Sequence, residues 1–154
     1  MTSDRRQLTL LVAEDDPDDR LLIRKAFAAT GFDLDLRIVG DGEELMEYLH
    51  RRGPYAVEVA PRPGLIVLDL NMPRKNGREA LVAIKTDPDL QTIPVIVLTT
   101  SKTEEDVYHC YALGANAFIV KPFTLAEMTH AMEILTRYWF DIVKLPPRTF
   151  ENRS

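Results

Sequence analysis

Short apolar runs alternate with segments of helical period along most of this chain, and that alternation restricts its fold more than any other feature. The runs fall at about residues 8–13, 34–39, 65–69, 95–99 and 117–120. They are short and mostly apolar, as strands covered on both faces must be. Strands that alternate with helices build a parallel sheet, so an α/β fold with five strands and five helices is expected. A length of 154 residues with 45% hydrophobic content suits one domain with one sheet-centred core.

The helix starts are marked chemically. Asp16-Pro17 supplies a cap and a first-turn proline, and Asp41 with Glu44, Asn76 with Glu79, and Thr124 with Glu127 have the spacing of cap pairs. Asp16, Asp18 and Asp19 are accordingly assigned to a helix start and its dipole rather than to a metal. Residues 51–63, broken by Pro54, Pro61 and Pro63, are expected to form a long surface loop. The last helix is expected to run past Tyr138 into a tail, Trp139-Phe140-Asp141-Ile142-Val143-Lys144-Leu145-Pro146-Pro147, whose apolar residues need a cover.

Several function classes drop out. A net charge of −5 and a pI near 5.2 offer no basic surface for nucleic acid. Cys110 is the only cysteine, which excludes an intrachain disulfide and a multi-cysteine metal site; it reads as a small packed thiol. His50, His109 and His130 lie in separate helical segments without ligand spacing and read as surface residues. No apolar stretch approaches the ~18 residues of a membrane span, and the first residues lack a signal-like run, so a cytoplasmic protein without membrane contact is expected.

The chemistry gathers where the apolar runs stop. Open α/β sheets place their sites at the carboxyl ends of the strands. The first run ends on Glu14 and Asp15, the third on Asp69, the fourth on Thr99-Thr100-Ser101, and the fifth on Lys121-Pro122-Phe123. Three carboxylates form a pocket for a hard cation, with Mg²⁺ (or Mn²⁺) the natural occupant. A hydroxyl and an ammonium on the same edge can receive the charge of a phosphoryl group, leaving one acid as nucleophile.

Glu14-Asp15, the segment Asp69-Leu70-Asn71-Met72-Pro73 followed by Gly77, Thr99, and Lys121-Pro122 together resemble the receiver domain of two-component response regulators. The resemblance covers about residues 8–138. It implies a flavodoxin-like (βα)5 three-layer sandwich with sheet order 2-1-3-4-5. It also implies that Asp69 is the phosphoacceptor and that Asp15, the main-chain carbonyl of Asn71 and, through water, Glu14 hold the metal. Thr99 and Lys121 would stabilise the phosphoryl group, Gly77 would permit the turn into the third helix, and Lys121-Pro122 would be a cis peptide that aims the lysine. Phe118 stands where many receivers carry a switching tyrosine, and Asn71 and Ser101 occupy positions that tune phosphoryl lifetime.

With residues 1–7 read as an N-terminal segment and 139–154 as an apolar extension, no sequence is left for an output module, and signalling by protein–protein contact is expected. The tail from Tyr138 to Pro146 resembles the ending of regulators paired with phytochrome histidine kinases, which implies such a kinase as partner. Trp139, Phe140, Ile142, Val143 and Leu145 either fold back on the domain or reach a second copy; a homodimer through the last helix and this arm is the expectation. Two rival readings fit less well. A Mg²⁺-dependent aspartyl-phosphate phosphatase commonly carries a second Asp two residues after the nucleophile, where this chain has Asn71. A degenerate receiver, acting as a constitutive dimeric interaction module, is opposed by the full set of Asp15, Asp69, Thr99 and Lys121. The reading is therefore a stoichiometric phosphoacceptor, not a turnover enzyme.

Overall fold

Burial along the strands dictates the layers. In the computed structural model, which describes residues 8–57 and 59–147, β3 (Leu65–Leu68) and β4 (Val95–Thr99) are buried at every position. Only the interior of a sheet covered on both faces allows that. β1 (Leu8–Ala13) lies beside β3, β2 (Leu34–Val39) forms one edge and β5 (Ala117–Val120) the other, in the order β2-β1-β3-β4-β5 with every pairing parallel. This is the expected flavodoxin-like arrangement, and all five carboxyl ends face one edge.

Alternate side chains on each strand divide the core in two. Leu10, Val12, Leu65, Val67, Ile96 and Leu98 pack with Ile23 and Phe27 of α1 (Pro17–Thr30) and with Met128 and Met132 of α5 (Leu125–Thr136). Leu11, Ala13, Ile66, Leu68, Val95 and Val97 face the other way. They pack with Leu45 of α2 (Gly42–His50), Leu81 and Ile84 of α3 (Gly77–Thr86) and Cys110 of α4 (Glu104–Ala112). Cys110 is a buried free thiol, as expected. None of the described helices is long and apolar enough to cross a membrane.

The expected caps are present. The Asp16 side chain accepts from the N–H groups of Asp18 and Asp19 with Pro17 behind it, Asp41 and Thr124 each accept from the N–H three residues on, and Asn76 with Glu79 completes a reciprocal capping box. Each such cap contributes about 1 kcal/mol and sets where its helix can begin, which in this fold is at the rim of the site.

Four details differ from the sequence reading. β3 stops at Leu68 instead of Asp69, although the Asp69 N–H still donates to Ala13 O at 3.1 Å. Residues 51–63 contain a 3₁₀ turn at Gly53–Ala56 and are pinned to the domain, because Tyr48 Oη donates to Pro61 O at 2.8 Å and Tyr55 Oη to Glu44 Oε2 at 2.7 Å. Such anchors come from residues on α2 and the turn itself, and no local pattern announces them. Lys121–Pro122 is not cis, since no cis peptide bond occurs among the described residues. Trans is the form favoured by about 0.5–1 kcal/mol for a bond to proline, and hydrogen bonds of the lysine itself supply its aim. Finally, α5 continues as expected, but as a π-helical turn over Arg137–Ile142.

That turn lays Trp139 and Phe140 against the α1/α5 side of the core, half-buried. Leu145 then reaches the amino-terminal edge of the sheet, where its Cδ1 would stand 3.3 Å from a Cβ placed on Gly64. Val143 is half-buried and Ile142 stays 69% exposed. The domain thus covers part of the arm itself. Residues 1–7 and 148–154, which belong to the expected terminal segments, lie outside the described residues.

Candidate functional site

The parallel sheet delivers one side chain from each of four strand ends to the same crevice. Glu14 follows β1 and is 1% exposed, Asp69 follows β3 at 5%, Thr99 ends β4 at 0%, and Lys121 follows β5 at 6%, while Asp15 is exposed at the mouth. The strand register holds the first two side by side: the Asp69 N–H donates to Ala13 O, and the Glu14 N–H to Val39 O at 3.0 Å. Lys121 N–H donates to Thr99 O at 2.8 Å, which extends the ladder to the lysine itself.

One carboxylate oxygen from each of Glu14, Asp15 and Asp69 lies within 4.8 Å of the others. Lys121 Nζ sits among the acids, 2.6 Å from Glu14 Oε1, 2.8 Å from Asp19 Oδ2 and 2.9 Å from Asp69 Oδ2. Neighbouring N–H groups of the backbone and of Arg20 hold the acids in place. Asn71 N–H donates to Asp69 Oδ1 at 3.2 Å, Asp16 N–H donates to Glu14 Oε2 at 3.1 Å, and Arg20 Nε donates to Glu14 O at 2.6 Å.

Electrostatics follow from this crowding. Burial, reinforced by the Asp69 charge and only partly offset by the Lys121 hydrogen bond, pushes the Glu14 carboxyl up to about 7. Burial alone would lower Lys121, but hydrogen bonds to Asp19, Glu14 and Asp69 outweigh it and hold the ammonium protonated beyond the ordinary lysine range. A single ammonium faces four acids, so the pocket retains negative charge. An all-oxygen donor set of this charge and spacing fits a hard divalent cation.

The β3–α3 loop is shaped by close packing. Gly77 N–H donates to Leu70 O at 2.9 Å, and a Cβ at position 77 would run into Asp69 O and stand 2.6 Å from Leu70 Cα. Gly77 is therefore required by the approach of the Asp69 backbone, a more specific reason than a permissive turn. Phe118 is half-buried against the α2/α3/α4 side of the core, and Pro122 is half-buried behind the lysine. Ser101 N–H reaches toward Thr99 Oγ1 at 3.5 Å, and Ser101 Oγ donates to Asp106 Oδ2 of α4. Asp106 Oδ1 in turn accepts from Arg78 Nη2 of α3 at 2.7 Å.

Sequence reasoning placed Asp19 with the helix start and so missed its contact with Lys121. It also missed Asp106 and the Asp41–Arg74 pair beside the Asp69 loop. For Asp19 a signal existed. An acid in the first turn of a helix that begins at the site's rim, four residues after Asp15, can turn back toward the strand ends. Of the histidines, His109 and His130 are exposed, while His50 is half-buried with Nε2 3.6 Å from Asp87 Oδ2; none of them belongs to the acidic cluster.

The model of the response regulator receiver domain matches residues 10–133. The chain belongs to the receiver family. Among relatives, this receiver is 40% identical to the response regulator Rcp1 of Synechocystis sp. over 137 residues, 89% of this chain and 92% of that one. Among solved structures, the phosphorylated cyanobacterial phytochrome response regulator RcpA superposes with a TM-score of 0.86 at 39% identity, covering 92% of this receiver and all of RcpA. The Mn²⁺-bound form of Rcp1 superposes with a TM-score of 0.83 at 38% identity, covering 91% of this receiver and 99% of Rcp1. This chain thus shares the receiver fold with these relatives, and its own cluster of Glu14, Asp15 and Asp69 fits a divalent cation.

Proposed function

We propose that this receiver accepts a phosphoryl group on Asp69 from the phosphohistidine of a histidine kinase, in a divalent-cation-dependent step, and signals by changed protein contacts. The observation that carries the reading is Asp69 itself: a 5%-exposed carboxylate with an ammonium 2.9 Å away and an oxygen of each of two further acids within 4.8 Å. An Asp69 oxygen attacks phosphorus, the P–N bond breaks, and its electron pair returns to the imidazole nitrogen. The product is an acyl phosphate on Asp69 and a free histidine on the kinase.

Glu14, Asp15, Asp69 and the Asn71 carbonyl would hold Mg²⁺ (or Mn²⁺), with Glu14 acting through water. Bound there, the cation neutralises the oxygens of the transferring group. Lys121 already lies against Asp69 and is placed to pair with the attached phosphoryl group. Thr99 hydroxyl would donate to a phosphoryl oxygen, and Phe118, half-buried on the neighbouring β5, would swing inward when Thr99 moves. The protein is a stoichiometric acceptor in the cytoplasm, with any loss of the phosphoryl group being slow hydrolysis of its own acyl phosphate.

The likeness to Rcp1 and RcpA, the latter a phytochrome response regulator, supports a phytochrome-like kinase as donor. We take residues 8–138 as the receiver proper and 139–154 as its extension, with a homodimer formed through α5 and the arm. Ile134, Tyr138 and Ile142, spaced four apart and each more than half exposed, offer the apolar stripe such a dimer would bury.

Intact mass after incubation with acetyl phosphate and Mg²⁺ tests the reading. One added phosphoryl group is expected in the wild type only, absent from Asp69→Asn and from a sample given EDTA. An unmodified wild type, under conditions that label another receiver, overturns it.

A further inference from the structure

Lys121 has three N–H bonds and three carboxylate partners, and one of those partners stands apart from the other two. Glu14 and Asp69 belong to the cluster whose oxygens lie within 4.8 Å of one another, while Asp19 does not. Asp19 comes from the first turn of α1, and its side chain is 31% exposed where those of Glu14 and Asp69 are 2% and 6%. We infer that Asp19 is a positioning residue for Lys121, a carboxylate that keeps the ammonium anchored when a divalent cation takes over Glu14 and Asp69. The inference rests on the cation-dependent reading above.

The physical reason is desolvation. An ammonium that is 6% exposed cannot simply lose its partners, because an unpaired buried charge is strongly unfavourable. A cation arriving at Glu14, Asp15 and Asp69 draws on the acceptors that Lys121 holds at 2.6 and 2.9 Å. The Asp19 oxygen at 2.8 Å is the charged partner left to the lysine, so it lowers the resistance of the pocket to being loaded. The neighbouring first-turn acid, Asp18, carries the same charge at the same helix end and does not reach Lys121. A helix-dipole role would make the two equivalent; a lysine-positioning role makes them different.

Mn²⁺ binding to the full chain, followed by the electron paramagnetic resonance signal of the free ion, separates these. Asp19→Asn should weaken Mn²⁺ affinity about three- to tenfold, as expected for losing one charge-assisted partner of a coupled group, and Asp18→Asn should leave it within twofold or so of wild type. In a Lys121→Met background the added Asp19→Asn should change affinity no more than Asp18→Asn does. Asp19→Glu, which restores a carboxylate within reach, should recover wild-type binding and serves if the double variant does not fold. Equal affinity of Asp19→Asn and wild type overturns the inference, as does an effect that persists in full without Lys121 or is not recovered by Glu. Those results leave the phosphoacceptor reading intact. Failure of the wild type to bind Mn²⁺ at all overturns both.

Discussion

Arg74 Nε donates to Asp41 Oδ2 at 3.0 Å and so ties the loop that follows Asp69 to the start of α2. Arg74 adopts a left-handed backbone, φ +62°, and Gly42 N–H donates to Lys75 O at 3.0 Å one residue further on. Asp41 is buried, caps α2 through the Glu44 N–H, and holds Arg74 with the same carboxylate. Burial works against its charge, but the Glu44 N–H and the Arg74 guanidinium outweigh that and keep the carboxyl below its ordinary value.

Asp41→Ala should therefore destabilise the protein by about 1–2 kcal/mol through the lost cap alone. Because Asp41 has a lowered folded value, its contribution is present above the usual carboxylate range and is lost as pH falls through that range. Urea midpoints for wild type and Asp41→Ala should converge in acid and separate at neutral pH; parallel curves at all pH values would refute the assignment.

Gly77→Ala tests the packing of the β3–α3 loop. Position 77 opens α3, and a Gly-to-Ala change at an unstrained helical position commonly stabilises by up to ~1 kcal/mol. Here the new methyl meets the Asp69 and Leu70 backbone, which has no flexible end to yield. A net destabilisation of about 1–3 kcal/mol is expected, together with slower labelling of Asp69 by acetyl phosphate. A stabilised variant with normal labelling would show that the loop can give way.

Proton and cation should compete at Glu14. Its folded, metal-free value near 7 lies above that of an unfolded carboxyl. Its contribution to stability is thus present below the ordinary carboxylate range and lost as pH rises through 7, where the ionised group faces Asp69 in a buried pocket. A divalent cation offsets that loss. Mg²⁺ should raise the melting temperature more at pH 8 than at pH 6, and Glu14→Gln should flatten the difference; a pH-independent increment in wild type would contradict the linkage.

Removal of residues 139–154 should both destabilise the domain and, if the arm joins two copies, lower the mass in solution. Trp139 and Phe140 are half-buried on the α1/α5 core, so losing them should cost about 2–4 kcal/mol. Light scattering gives the mass and urea unfolding the stability. A truncated chain with unchanged mass would end the dimer-arm proposal, whatever its stability.

Much of this architecture was legible because strand ends and helix starts carry local chemistry. Glu14, Asp15, Asp69, Thr99 and Lys121 each close an apolar run, and the parallel alternation forces such closures to one edge. Asn76 with Glu79 announces the start of α3 three residues apart. What escaped is whatever one residue does twice. Asp19 and Asp41 look like helix-start acids, which they are, and nothing adjacent in sequence reports that one also meets a lysine 102 positions away and the other an arginine 33 positions away. The anchoring of residues 51–63 by Tyr48 and Tyr55 escaped for the same reason. The expectation of a cis bond before Pro122 came from resemblance alone, and the trans bond serves because three carboxylates orient the ammonium.

β3 joins two places that have so far been described separately. Leu145 lies over Gly64 just before its first residue and Asp69 follows its last, so five residue steps, roughly 17 Å of extended chain, separate the arm's seat from the acid pocket. The strut between them is buried along its length and hydrogen-bonded on both sides. A dye, tether or affinity handle attached at Pro147, which lies beside Gly64 with Leu145, will therefore stand at the opposite end of a rigid ruler from the acid pocket, able to report on the arm without crowding Asp69.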